Sequence, residues 1–199
     1  VVIQTFTKAQ DMRLRSYQSI SAAYASESSG GGGGGGGLIS TTSVNVGSYG
    51  NYSGKIPERM IDGSGLSGSD SSATHDMNGN NNWSSDFHTS GVGFTIRFGF
   101  GTPRTISNFY FWPATPSAGG AAALQCPQNF ALNLYAADGT TLLRNVPGLT
   151  IPLPVEGSPS TAIAFNFTST SGVYFADMAI SSNHGSNYTT IAEVSFGGF

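Results

Sequence analysis

Beyond residue 38, apolar and polar positions alternate with the two-residue period of half-buried β-strands. In residues 93–100, Phe94, Ile96, Phe98 and Phe100 share one face, while Thr95, Arg97 and Gly99 take the other. Residues 106–112 are strongly aromatic and stop at Pro113. Residues 130–135 lead into Ala137-Asp138-Gly139-Thr140, where Asp-Gly predicts a tight hairpin turn. In residues 161–167, Ile163, Phe165 and Phe167 oppose Ala162, Ala164 and Asn166; residues 173–180 and 190–196 predict the last two strands. No stretch after residue 38 keeps a long 3.6-residue period. Short strands separated by turn-rich segments predict an all-β sandwich or barrel.

Three segments break this pattern. Residues 47–89 are crowded with Ser, Gly, Asn and Asp, and a loop of that length is expected to be functional or ordered by a partner. Gly30 to Gly37 are consecutive glycines, readable as a flexible linker or as a close-packed contact between subunits. They do not form a phosphate loop, which needs a Lys and a following helix. Residues 1–29 read as a separate arm. It opens with a partly alternating VVIQTFT, and its residues 11–25 suit either a short helix or an extended pair. So small an arm cannot bury a core, so it is expected to dock on its own domain or on a neighbouring subunit. The expected organisation is a docking arm (1–29), a poly-Gly segment (30–37) and a β-domain (38–199).

Composition narrows the function. The 199 residues suit one domain plus an appendage. Only 10% of residues are charged, against about 25% in an average soluble domain, so the surface must draw its solubility from hydroxyls and amides. The net charge is −3 and the 8 Lys+Arg form no basic run, which argues against nucleic-acid binding. No apolar stretch approaches the ~20 residues of a membrane span, so no membrane insertion is expected. The first residues lack the features of a signal peptide. Cys126 stands alone, which removes internal disulfides, cysteine-based zinc sites and CxxC redox pairs, and a buried inert thiol is expected.

Five motifs occur in a characteristic order. They are Met60-Ile61-Asp62-Gly63 followed by Asn82-Trp83-Ser84-Ser85; Phe94-Thr95-Ile96-Arg97-Phe98-Gly99; Ile106 to Phe111; Leu134-Tyr135-Ala136-Ala137-Asp138-Gly139; and Ile191-Ala192-Glu193-Val194-Ser195-Phe196-Gly197. In this order the chain resembles the discoidin-like (coagulation factor 5/8 type C) domains and related carbohydrate-binding modules, over about 160 residues. The resemblance implies a galactose-binding-like jelly-roll β-sandwich. The spacing from Asp62 to Trp83 is longer than usual in that family, Asn81 replaces a Thr before the Trp, and Asp177 stands where Arg is common.

The same resemblance implies one structural calcium ion held by Asp62 and Glu193, with backbone oxygens near Met60, Gly65 and Ala192. Read without it, Asp62 caps its own turn and Glu193 pairs with Arg59 or Lys55. His75, Asp76, Asp86 and His88 share one polar loop without a metal-ligand spacing, and its histidines read as solvated hydrogen-bonding groups. No nucleophile elbow occurs and acidic residues are sparse, so no catalytic residues are assigned and no enzyme is expected. Four Asn-x-Ser/Thr sequons, at Asn51, Asn82, Asn166 and Asn187, are no more than chance supplies in so Ser/Thr-rich a chain.

Loop aromatics carry more information. Tyr49, Tyr52, Phe87 and Tyr188 lie beside Asn, His or Gly. Sugar sites pair an aromatic face with carboxylate, amide or imidazole groups. Asp86, Phe87, His88, His184 and Tyr188 are therefore the candidate carbohydrate-binding residues, with a lid over the sandwich or a subunit interface as the competing reading. Two settings follow. In the first, the chain is a non-catalytic virion component (bacteriophage tail, fibre or capsid decoration) that meets other subunits, including its own copies, through residues 1–37. In the second, it is a carbohydrate-binding module of a secreted bacterial enzyme or adhesin. The sequence favours the first.

Overall fold

The computed structural model describes residues 37–86, 93–115 and 122–199, so the arm and nearly all of the poly-Gly run lie outside the described residues. Eleven strands are described: β1 (Leu38–Ile39), β2 (Ser43–Asn45), β3 (Thr74–His75), β4 (Trp83–Ser84), β5 (Phe94–Trp112), β6 (Pro127–Tyr135), β7 (Leu142–Thr150), β8 (Ser160–Thr161), β9 (Ile163–Asn183), β10 (Thr190–Ile191) and β11 (Glu193–Gly198). One helical turn, α1 (Ala122–Gln125), precedes β6. The main sheet runs β1-β11-β5-β9-β6-β7, with β2 also on β5; the pairs β10-β4 and β3-β8 form two small ladders.

The centre of the fold is one long antiparallel ribbon. The two sequence segments 94–100 and 106–112 prove to be halves of a single strand, β5, and 161–167 and 173–180 fall almost wholly in β9. The ladder between them skips from Gly99↔Phe175 to Arg104↔Val173, then shifts again at Ile106 and Asn108. Pro103 lies in the first gap, where its missing N–H leaves no ladder bond unmade. The irregularity also changes the phase of burial, from Phe94, Ile96 and Phe98 inward to Phe109 and Phe111 inward. An added residue in one strand has that effect, because side chains alternate strictly along a strand.

The bend lets the two halves of the ribbon face each other. Phe130, on β6 and paired across Ile180 of β9 with the first half of the ribbon, meets Phe109 on the second half of β5 (5.7 Å between ring centroids) and Phe165 (5.3 Å). Phe98 and Phe100 meet Phe196 of β11 at 5.6 and 5.0 Å. These contacts make the fold a β-sandwich, its core filled by tilted and edge-on aromatic pairs. Cys126 is fully buried, and burial pushes its thiol pKa up, as expected of an inert core cysteine. On the outer face, Arg97 grips Asp177 through two bonds of 2.7 and 2.8 Å and lies over the Tyr135 and Phe175 rings. The guanidinium thus comes from β5, opposite the Asp on β9.

Candidate functional site

At the start of β5 three loop segments are tied side by side. Trp83 is fully buried on the edge of Phe94, and its indole N–H donates to Asn51 Oδ1 at 3.2 Å. Asn51 bridges to Ser85, and Ser85 N–H donates to the Thr189 carbonyl. Thr189 N–H donates back to Ser85 Oγ at 2.8 Å. Beneath them, Thr190 Oγ1 bonds Ser84 and donates to Gln125 Oε1 at 2.6 Å. The long Ser/Gly/Asn segment is thereby ordered from both sides, by its own Trp and by the start of β10.

This scaffold sets Asp86 and Tyr188 on neighbouring chains. Asp86 N–H donates to the Gly50 carbonyl at 3.3 Å, and its carboxylate lies so close over Gly50 that a Cβ there would overlap Oδ2. Two residues on, Tyr52 is 48% exposed, and its ring meets that of Tyr188 at 5.1 Å with an interplanar angle of 64°. Tyr49 instead stacks inward on Phe94 at 4.6 Å. Asn183 shapes the 183–188 loop: its Oδ1 accepts from Gly185 and Ser186, and its Nδ2 donates to the Ser186 and Tyr188 carbonyls. His184, grouped with Tyr188 in the sequence, turns its ring away to the Ile151 carbonyl, 3.0 Å from Nε2. Phe87 and His88 lie outside the described residues.

His75 corrects the expectation of a solvated loop histidine. It is buried, with Nδ1 against the Asp76 carbonyl at 2.9 Å and Nε2 against the Asn81 carbonyl at 3.1 Å. Its part is to fold the 76–81 loop onto itself.

The Asp62 and Glu193 carboxylates do come together. Glu193, at the start of β11, is buried, and its Oε2 accepts from Gly63 N–H at 3.2 Å. Burial, then the nearby Asp62 charge, pushes its pKa up to about 9, with the Gly63 bond acting in the opposite direction. Asp62 caps its own turn through Ser64 N–H at 2.7 Å and pairs with Arg59 at 3.2 Å. Arg59 thus partners Asp62, and no ion pair joins it to Glu193. Among the described residues no three His, Cys, Asp or Glu side chains gather as a metal site. The pair supplies hard oxygens and an excess of negative charge, both of which fit calcium, but its remaining ligands would have to be loop carbonyls. One of those implied, Gly65 O, already accepts from Asp76 N–H at 2.9 Å.

No protein-family model matches the sequence, and no curated protein matches it either. Solved structures do. The family 32 carbohydrate-binding module of C. perfringens NanJ, in complex with galactose, superposes with a TM-score of 0.53 at 14% identity, covering 81% of this chain and 98% of that one. The fold is the galactose-binding-like β-sandwich. Two further galactose-binding-like structures are similar. The lectin domain of lectinolysin, complexed with Lewis B antigen, gives a TM-score of 0.52 at 12% identity, covering 77% of this chain and 89% of that one. The family 32 module of AlyQ, in complex with 4,5-unsaturated mannuronic acid, gives 0.50 at 17% identity, covering 80% and 96%. The discoidin-like resemblance read from the five motifs therefore holds at the level of fold.

Proposed function

We propose that this chain is a non-catalytic glycan-binding module whose site is the loop cluster around Tyr52, Asp86 and Tyr188. The observation that carries it is the exposed Tyr52 ring, set against the half-buried Tyr188 ring, near an exposed carboxylate, Asp86, that accepts no side-chain hydrogen bond among the described residues. Such a pairing offers a sugar an apolar ring face and a hydroxyl acceptor at one place. The complexes named for the similar structures, with galactose, Lewis B antigen and an unsaturated uronic acid, support the ligand class. They also support the carbohydrate-binding module over the virion component that the sequence favours. The subunit contacts expected of a virion protein rest on residues 1–37, all but Gly37 outside the described residues. A calcium ion between Asp62 and Glu193 belongs to the proposal as a clamp on the 60–66 loop, with no role in chemistry.

The test is a glycan microarray probed with the purified chain, followed by calorimetry on its best ligand. Tyr52→Ala and Tyr188→Ala should each weaken that ligand about three- to tenfold, the scale of one aromatic contact, with the fold retained in both variants on circular dichroism. Silence across all glycan classes, or Tyr variants that bind like the parent, would remove the proposal.

A further inference from the structure

The sandwich alone does not select a sugar, since similar structures hold neutral and acidic ones. Charge at the loop cluster can. The described loop segments 48–54, 83–86 and 183–190 contain one carboxylate, Asp86, and no Lys or Arg. The nearest cations in sequence are turned elsewhere. Lys55 carries its ammonium over Gly79 and is partly buried, which lowers its pKa. Arg59 is held by Asp62 and Ser64 at 3.2 and 2.8 Å. Asp86 is exposed, and its backbone N–H is fixed on the Gly50 carbonyl.

We infer that Asp86, seated on Gly50, makes this site selective for uncharged or amine-bearing glycans and closed to those carrying carboxylates. The inference rests on the glycan-binding reading above. An ionised carboxylate is acceptor-only, so it can take two hydroxyl protons from a vicinal diol through charge-assisted bonds. A protonated amine on the sugar gains an ion pair at the same place. A sialic or uronic acid brings a second negative charge beside the first with no described cation between them, and like charges at contact distance oppose binding. Gly50 is a positioning residue here. With no Cβ it lets the carboxylate settle against the backbone, two residues from the Tyr52 ring.

Two variants separate charge from position. Asp86→Asn keeps the shape and removes the charge, so neutral glycans should bind about tenfold more weakly while sialylated and uronate glycans rise toward the same affinity. Gly50→Ala keeps the charge but forces the flexible carboxylate aside, so neutral binding should fall while acidic glycans stay excluded. The readout is the ratio of affinities for matched neutral and acidic glycans on the array, confirmed by calorimetry in low and high salt, where the exclusion should weaken as salt rises. Acidic glycans bound by the parent as tightly as neutral ones, or a ratio unmoved in Asp86→Asn, would overturn the inference and leave glycan binding standing. An array with no bound glycan of any class would instead remove the reading beneath it.

Discussion

Glu193 offers the sharpest physical test, because its carboxyl is buried at 3% exposure beside another carboxylate and has one described hydrogen-bond donor, the Gly63 N–H. In the metal-free protein its pKa stands at about 9, against an ordinary value of 4.5. Between those values the unfolded chain has released the proton that the folded chain still holds. The unfolded state then binds fewer protons, so stability must fall as pH rises. The effect is absent below the unfolded value, grows through neutrality and levels off above the folded one. At pH 7, roughly 2.5 units above the unfolded value, the loss amounts to about 3 kcal/mol at ~1.4 kcal/mol per unit. Glu193→Gln imitates the protonated group and should erase this slope. Urea unfolding of parent and variant in chelator, from pH 5 to 8.5, reads it directly, because the difference between the two curves cancels every other titrating group. The variant should gain on the parent steadily with pH. A difference that stays constant across that range would refute the claim that burial keeps this carboxyl protonated.

The remaining predictions concern the loop clamp and the last strand. If calcium bridges Asp62 and Glu193, millimolar calcium should raise the parent's melting temperature and leave Asp62→Asn unmoved; an unchanged parent on chelation and refilling would dispose of the ion. Gly198 has φ +155°, and a Cβ there would overlap the Thr105 carbonyl, next to the reciprocal Thr105–Phe199 bonds of 2.7 and 3.0 Å. Gly198→Ala should break both, for about 2–3 kcal/mol at ~1 kcal/mol each plus strain, lowering the melting temperature by roughly 4–12 °C. Differential scanning fluorimetry checks it, and a change within a degree would show that the strand end adapts freely.

What could be read from the sequence follows the range of the interactions involved. The alternation in residues 94–100 and 106–112 is local and was visible, as were the inward Ile163, Phe165 and Phe167. That each pair of segments forms one strand was hidden, because Gly101 and Pro103 have the composition of a loop, and the β9 ladder carries the strand past them only by pairing at Gly99 and again at Arg104. Trp83 and Trp112 are both fully buried, and Trp112 ends β5 just before Pro113, the residue at which the aromatic run stops. At the site, the chemistry of Asp86, Tyr52 and Tyr188 could be read as residue types suited to sugars. The Gly50 seat could not, since a close approach of backbone and carboxylate depends on the Asn51–Ser85 bridge. Nor could the loss of His184 to the Ile151 carbonyl or the burial of His75, both set by acceptors that no side-chain pattern reveals.

The bend in the β5/β9 ribbon also decides how the domain would carry tension. Gly37 meets Gly198 beside Ile106, past the bend, while Tyr52 and Tyr188 stand near the other end of β5's first half, where Tyr49 and Trp83 pack on Phe94. A ligand gripped at the loops and an anchor attached at Gly37 would therefore pull lengthwise. The cross-strand bonds of β1 on β11 and β2 on β5 lie perpendicular to that pull, so they would be loaded together in shear and not opened one after another.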